Sequence, residues 1–166
     1  MNCVTFMSPS KAFNMPGLTA SHALIFNPKL RRKFHAYLES CELDLGHVFA
    51  FLAIEAAYTH GTEWLDQCLA YIQGNIDYVD EFLKLHTPKI KAIRPQASFL
   101  VWLDCREMGL AQDALNDFFV DKAHLALNNG VAFGEEGEGF MRLNVASPRS
   151  VLEKAMKQLA DAYAAL

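Results

Sequence analysis

The chain has 166 residues, of which 52% are hydrophobic and 20% are charged, so it can bury a core of ordinary size for one domain. Its 15 Lys and Arg residues are outnumbered by 19 Asp and Glu residues, which gives a net charge of −4. This balance argues against nucleic acid or an anionic membrane as the main partner, because both favour clustered positive charge. The single basic cluster, residues 29–33, follows a proline and is interpreted as the solvated start of a helix.

The same sequence gives expectations about compartment and thiol state. No apolar segment approaches membrane-spanning length and no signal-peptide pattern precedes residue 30, so we expect a cytoplasmic protein. The four cysteines are far apart and lack Cys-x-x-Cys spacing, so neither a zinc site nor a disulfide framework is predicted. We expect buried or half-buried free thiols.

The first half of the chain predicts two short strands followed by three helices. Residues 4–7 and 20–26 have strand character, and the Pro, Asn and Gly residues between them exclude regular structure. Apolar residues at helical spacing then predict helices over 28–41, from 44 or 45 to 60, and over 63–85. Gly61 is the expected stop of the second helix and Thr62 the expected N-cap of the third.

After residue 87 the pattern changes to that of a small mixed domain. We predict strands over 90–93, 98–103, 131–133 and 140–145, a helix over 112–127, and a last helix that starts at Ser147-Pro148. Together these elements predict an α+β unit in which helices cover one face of a small sheet. The long helix before this unit ties it to the preceding residues.

Lys11 is the candidate chemical residue of the first segment. Lys11 lies in a segment rich in Ser, Pro and Gly, and such a constrained backbone can hold an amine at the mouth of a cleft. Ser8 and Ser10 beside it could direct hydroxyls at a phosphate. Spacing alone leaves a plain solvated lysine as the commoner alternative.

The pattern Ser-x-Ser-Lys-x-Phe-Asn-x-x-Gly-Leu, from Ser8 to Leu18, resembles the lysine segment of the class I/II aminotransferase superfamily, whose members use pyridoxal 5'-phosphate (PLP) and have fold type I. It is most similar to the branch of cystathionine β-lyases and related C–S lyases. The similarity continues through residues 56–65, 95–104 and 133–144 and through Pro148-Arg149, so it covers essentially the whole chain.

The resemblance implies a fold class and a domain organisation. It implies an α/β protein that forms the C-terminal part of PLP fold type I, with an α+β small domain and a long linking helix. Residues 1–27 would end the large PLP-binding domain, 28–86 would form the helical connection, and 87–166 would form the small domain. A homodimer is implied for the full-length parent.

The resemblance also implies roles for named residues. It makes Lys11 the Schiff-base lysine, Ser8 a phosphate contact and Arg142 the residue that binds the α-carboxylate of an amino-acid substrate. A guanidinium offers a planar fork that matches a carboxylate, and the alternative for Arg142 is a surface ion pair with a glutamate of the 135–138 turn. Asn14 is a weaker candidate for positioning the cofactor loop. Thr19 stands where many aminotransferases place a phosphate-binding Arg, which fits the lyase branch better.

The implied reaction is β-elimination on cystathionine or a related sulfur amino acid, with pyruvate, ammonia and a thiol as products. An aminotransferase is the alternative within the same chemistry. The family's stacking aromatic, its Asp for the pyridinium nitrogen and its phosphate-cradling loop all precede the lysine, and none has a counterpart in this chain. A folded fragment without activity of its own, or an interaction module, is therefore the alternative of another class.

Overall fold

The computed structural model describes residues 2–166. The chain divides into two compact units, Met1–Cys68 (unit 1) and Leu69–Leu166 (unit 2). Unit 1 contains strands β1 (Thr5–Met7) and β2 (His22–Leu24), helices α1 (Pro28–Ser40) and α2 (Val48–His60), and the start of helix α3 (Thr62–His86). Among the described helices, none is both long and apolar enough to cross a membrane.

Unit 1 is built on a two-stranded antiparallel ribbon and helices with few buried residues. β1 pairs with β2 in the register Met7 to His22, which closes the segment that carries Lys11. The Asn27 side chain accepts hydrogen bonds from the backbone amides of Lys29 and Leu30, and so caps α1. The basic cluster lies exposed in the first turns of this helix, as predicted.

Two helix boundaries in unit 1 differ from the sequence prediction. α2 begins at Val48, with His47 as its N-cap residue. The predicted start at residue 44 or 45 is too early, because glycine disfavours a helix and the Gly46 amide donates to the Asp44 carbonyl in a tight turn. Thr62 lies inside α3, since the amide of Leu65 already donates to the Gly61 carbonyl at 2.9 Å.

Unit 2 contains a four-stranded antiparallel sheet and the helices packed on it. The strands are β3 (Lys91–Ile93), β4 (Leu100–Asp104), β5 (Asn128–Asn129) and β6 (Phe140–Asn144), in the order β3-β4-β6-β5. The helices are the remainder of α3, α4 (Gln112–Asp117) and α5 (Arg149–Ala164). This arrangement has the small sheet and the covering helices that the sequence predicts.

The core of unit 2 lies on one face of this sheet. Alternate residues of β4 and β6 are buried there, with Val101, Leu103 and Met141 fully excluded from solvent. They form one cluster with apolar side chains of α3, α4 and α5. The opposite face of the sheet carries Trp102 and Arg142, which are direct partners in the β4–β6 register.

Three predictions for unit 2 are corrected. The helix predicted over 112–127 ends at Lys122 in a π-helical turn. The strand predicted over 131–133 is a 3-10 turn, Gly130–Phe133, because the Gly130 and Gly137 backbones touch and a Cβ on either would overlap the other. Pro148 is the N-cap residue of α5 and the helix begins at Arg149.

All four cysteines are free, as expected, but their burial is only partly as predicted. Cys105 is buried and Cys68 is half-buried, whereas Cys3 and Cys41 are exposed. Both exposed thiols lie in unit 1, where few side chains of any kind are buried. Burial raises the pKa of the Cys105 thiol to about 12, and the nearby Asp104 carboxylate adds to this rise.

Candidate functional site

Lys11 lies exposed in a loop whose backbone is fixed by its own hydrogen bonds. The amide of Phe13 donates to the Pro9 carbonyl and the amide of Met15 donates to the Ser10 carbonyl, each at 2.9 Å. The chain then turns sharply at Asn14, whose φ of 49° is left-handed. The lysine backbone is therefore held while its side chain points from the surface.

The two serines of this loop have different partners. The Ser8 hydroxyl donates to the Ala20 carbonyl at 2.6 Å, which joins the two ends of the loop. Ser8 Oγ also accepts from the Ser10 amide at 3.2 Å and lies 2.9 Å from Ser10 Oγ. Because a hydroxyl has one proton and Ser8 donates it to the Ala20 carbonyl, the 2.9 Å hydrogen bond between the two hydroxyls uses the proton of Ser10.

An aromatic cluster holds the other side of the loop. The Phe13 ring stacks on Trp64 with centroids 6.2 Å apart and meets the edge of Tyr58 at 5.9 Å. Gly61 lies against this ring, and a Cβ there would come within 2.6 Å of it. The junction of α2 and α3 is thus shaped to seat Phe13, two residues beyond Lys11. The φ of Gly61 is −87°, which any residue can adopt. The glycine is therefore required by the close approach of the Phe13 ring and not by the backbone conformation.

Arg142 lies on the outer face of the sheet in unit 2. Its Nη2 donates to Asn128 Oδ1 at 3.0 Å, and its Cζ lies 4.2 Å from the centroid of the Phe133 ring. Among the residues that the structure describes, its Nε is the one buried side-chain polar atom without a hydrogen-bond partner. Within the same residues Arg142 makes no salt bridge, so the predicted alternative of an ion pair with the 135–138 turn is not found.

The geometry around Arg142 therefore suits an anionic ligand. The guanidinium is oriented by an amide oxygen and an aromatic face, neither of which neutralises its charge. A planar carboxylate matches the shape of the guanidinium and would neutralise its charge. Sequence reasoning missed both Asn128 and Phe133, because their contact with Arg142 depends on the strand pairing and on the 3-10 turn.

A buried amide fixes the end of the strand that carries Arg142. Asn75 of α3 donates to the carbonyls of Val145 and Ser147 at 2.9 and 3.0 Å, and its Oδ1 accepts from Arg149 Nε at 2.9 Å. The Arg149 amide in turn donates to the Tyr71 hydroxyl at 2.7 Å. Sequence reasoning also missed this residue. An asparagine among the apolar positions of α3 was the signal that could have found it.

A second polar cluster in unit 2 is paired and closed. Arg94 bonds both Asp77 and Asp80, and Lys84 bonds Asp80 at 2.8 Å. The hydrogen bond from Arg94 lowers the pKa of Asp77. Burial alone would raise the pKa of Asp80, but its bonds to Lys84 and Arg94 outweigh burial and lower it. Both carboxylates of this cluster are therefore paired with cations.

The structure thus brings Ser8 and Ser10 together beside Lys11 in unit 1, and places Arg142 in unit 2. Each group forms a half-site with its own supporting contacts. The first half-site offers an amine and a hydroxyl, and the second offers a guanidinium that makes no salt bridge with the described residues.

The chain is similar to known proteins over most of its length. The family described as aminotransferase class I and II matches residues 1–159. Cystathionine beta-lyase PatB of Bacillus subtilis is 39% identical over 156 residues, which cover 94% of this chain and 40% of that protein. Protein MalY of Escherichia coli is 35% identical over 160 residues, covering 96% of this chain and 41% of that protein.

A solved structure extends the likeness to three dimensions. Cystalysin from Treponema denticola, which contains a pyridoxal 5'-phosphate cofactor, has a TM-score of 0.91 and 32% identity over 96% of this chain and 40% of that one. The predicted fold class, α/β with PLP fold type I, is confirmed. The chain spans about two fifths of the length of the relatives it matches.

Proposed function

Because the chain belongs to the class I and II aminotransferase family, we propose that it is the C-terminal part of a PLP-dependent enzyme that cleaves a carbon–sulfur bond of an amino acid. The observation that carries this proposal is the Lys11 loop: an exposed amine on a backbone fixed at both ends, inside the segment that resembles the family's lysine segment. The similarity to PatB supports the lyase branch.

The residues present fit the cofactor in chemistry. Lys11 supplies the amine that would hold PLP, and the adjacent Ser10 hydroxyl would donate to a phosphate oxygen by turning away from Ser8 Oγ. Ser8 would help indirectly, because its bond to the Ala20 carbonyl keeps the loop closed. When bound, PLP supplies the electron sink that makes the Cα proton of an amino acid acidic.

The chain's own residues have separate tasks in the proposed reaction. Lys11 Nζ accepts the Cα proton of the substrate, and its fixed backbone limits the positions from which it does so. Arg142 holds the α-carboxylate, oriented by Asn128 and by the Phe133 ring. Elimination of the sulfur substituent from Cβ then releases a thiol, and the remaining three-carbon unit consumes one water to give pyruvate and ammonia.

Thr19 favours the lyase over the aminotransferase, which is the second candidate. Many aminotransferases that this segment resembles have an arginine at that place, for the phosphate. Here Thr19 is exposed in a left-handed conformation with φ of 47°, at the end of the short 3-10 turn Pro16–Leu18. The two reactions diverge only after the Cα proton has left, so the half-sites alone allow both.

The cofactor assignment is tested by adding PLP to the purified chain, reducing with borohydride, and mapping pyridoxyl groups by peptide mass spectrometry. We expect labelling confined to Lys11, lost in Lys11→Arg and kept in the matched control Lys29→Arg, which changes an exposed lysine of α1. Labelling scattered over exposed lysines would contradict a formed cofactor site in this chain.

The reaction is tested on the longer protein that we propose contains this chain. Thiol release from cystathionine is followed beside keto-acid-dependent amino transfer. Transfer without thiol release would refute the lyase assignment. The 166-residue chain alone is expected to be inactive, and appreciable turnover by it would refute the idea that part of the catalytic machinery lies elsewhere.

A further inference from the structure

A glutamine on the core side of the sheet joins the two ends of the segment that supports Arg142. Gln112 is the first residue of α4. Its Nε2 donates to Asn129 Oδ1 at 2.6 Å, and its Oε1 accepts from the Gly139 amide at 2.6 Å. These two partners bound the segment 130–138, which carries the aromatic ring under the guanidinium. Both ends of one side-chain amide are therefore used to close this segment.

The core of unit 2 sets the position of this glutamine. Leu115, in the same helix, is fully buried, and its amide donates to the Ala111 carbonyl at 2.8 Å. Gln112 itself is half-buried, and its Nε2 lies 3.9 Å from the sulfur of Met141, which is fully buried. The amide of Gln112 is therefore attached to the most rigid part of the unit.

The strand next to Arg142 is short and depends on this attachment. β5 has two residues and lies at the edge of the sheet, where Asn128 pairs with Arg142 and Asn129 pairs with Met141. Successive residues of a strand point to opposite faces, so Asn129 faces the core and Asn128 faces the outer surface. A bond that holds Asn129 therefore also fixes Asn128, whose Oδ1 accepts from Arg142 Nη2.

An amide is the side-chain group that position 112 requires. Asn129 Oδ1 also accepts from the Val131 amide at 3.2 Å, so the oxygen of Asn129 cannot turn away without losing that bond. Position 112 must therefore donate to Asn129 and accept from Gly139 at the same time. A carboxylate can only accept, and an apolar side chain can do neither.

We propose that Gln112 is a positioning residue for Arg142. It holds β5 and the segment 130–138 from the core side, and thereby keeps Asn128 and the Phe133 ring at the guanidinium. The inference rests on the proposed function, because carboxylate binding is the role proposed there for Arg142. Gln112 contacts no ligand itself and acts only through these two supports.

The proposal is tested by NMR of the Arg142 side chain in the 166-residue chain, with acetate as the carboxylate probe. The Phe133 ring lies 4.2 Å from Arg142 Cζ, so its ring current displaces the signals of the guanidinium. Gln112→Met keeps the length of the side chain and removes both hydrogen bonds. We expect it to move the Arg142 signals toward those of an exposed arginine and to weaken acetate binding by about threefold, the equivalent of part of one hydrogen bond.

Gln158→Met is the matched control. Gln158 is a half-buried glutamine of α5 whose Nε2 donates to the Ala123 carbonyl at 3.4 Å. This variant also removes a glutamine hydrogen bond from unit 2, but it should leave the Arg142 signals and the acetate affinity unchanged. A general loss of stability would affect both variants, whereas loss of positioning affects only the first.

Gln112→Glu separates the two bonds of the amide and serves if the methionine variant does not fold. The carboxylate still accepts from the Gly139 amide but cannot donate to Asn129. Because the bond to Asn129 is the one that reaches Arg142 through β5, we expect this variant to displace the Arg142 signals as well. Arg142 signals identical to those of the unmodified chain in Gln112→Glu would overturn the proposal, as would equal effects of Gln112→Met and Gln158→Met.

Failure of this proposal is distinguishable from failure of the proposed function. The Arg142 signals need no ligand and no cofactor, so they report on positioning alone. Displaced signals without borohydride labelling of Lys11 would support the role of Gln112 and refute the cofactor assignment. Labelling of Lys11 with unchanged Arg142 signals would do the reverse.

Discussion

Replacing Asn75 by alanine should cost unit 2 about 3–4 kcal/mol of unfolding free energy. Asn75 is fully buried, and its amide serves two backbone carbonyls and one guanidinium nitrogen. A buried acceptor left without a partner costs about 1–3 kcal/mol, and a hydrogen bond to a charged group contributes about 1.5–3 kcal/mol. The lower part of each range applies to the Ser147 carbonyl and to Arg149, because both are only partly buried and water can reach them.

The assay is urea unfolding followed by far-UV circular dichroism. The dependence of the unfolding free energy on urea concentration is compared between variants. Gln73→Ala is the matched control, because Gln73 is an exposed amide on the same helix whose partner is the side chain of Asp77. This control should change the unfolding free energy by less than about 0.5 kcal/mol. If Asn75→Ala lies within about 1 kcal/mol of the control, the amide does not fix the end of β6, and the reasoning fails.

Three further outcomes are expected. Burial raises the pKa of Cys105 from 9.0 to about 12, so the stability this thiol contributes is complete below about pH 9 and is lost toward pH 12. Urea unfolding at pH 8 and pH 10 should show a loss of about 1.4 kcal/mol that Cys105→Ala abolishes. Arg94→Met should raise the titration midpoint of Asp77, measured by NMR, because the hydrogen bond from Arg94 lowers that pKa. The stabilisation that Asp77 contributes is therefore present above its pKa in the unfolded chain, near 3.8, and is lost as the pH falls through its pKa in the folded protein. Gly130→Ala should destabilise unit 2 by at least about 2 kcal/mol in urea, since its Cβ would overlap backbone, whereas Gly17→Ala, with open space around it, should not.

Each of these has a result that would count against it. An unchanged pH slope in Cys105→Ala would mean that the thiol ionises as easily in the fold as in the unfolded chain. An unchanged Asp77 midpoint in Arg94→Met would mean that the pair is not formed in solution. Equal stability of Gly130→Ala and Gly17→Ala would mean that the turn before Phe133 can open without cost.

The regular elements could be predicted because burial imposes their period. The strands around Val101 and Met141 alternate between the core and the outer face, and the residues of α3 repeat at helical spacing. The 3-10 turn at Gly130–Phe133 could not be predicted, since a short apolar run reads equally well as a strand. The 3-10 turn depends on the contact of Gly130 with Gly137, and a pattern of neighbouring residues cannot indicate that contact.

The residues of the candidate site were also only partly predictable from the sequence. Lys11 and Arg142 were found through their resemblance to family segments, which preserve order along the chain. Asn128 and Phe133 reach Arg142 only through strand pairing and the turn, so nothing local in the sequence points to them. Asn75 was a recognisable exception, because it interrupts an apolar stripe, but its partners lie 70 or more residues away.

The helix α3 passes from a unit with few buried side chains into one with a continuous core. Its early residues Trp64 and Leu69 are half exposed, whereas Ile76, Val79 and Leu83 are almost fully buried. One helix therefore contains two levels of resistance to amide hydrogen exchange, low in its first turns and close to the global limit beyond Asn75. Because Trp64 supports the ring of Phe13, fraying of those first turns would loosen the Lys11 loop while the core of unit 2 stays folded.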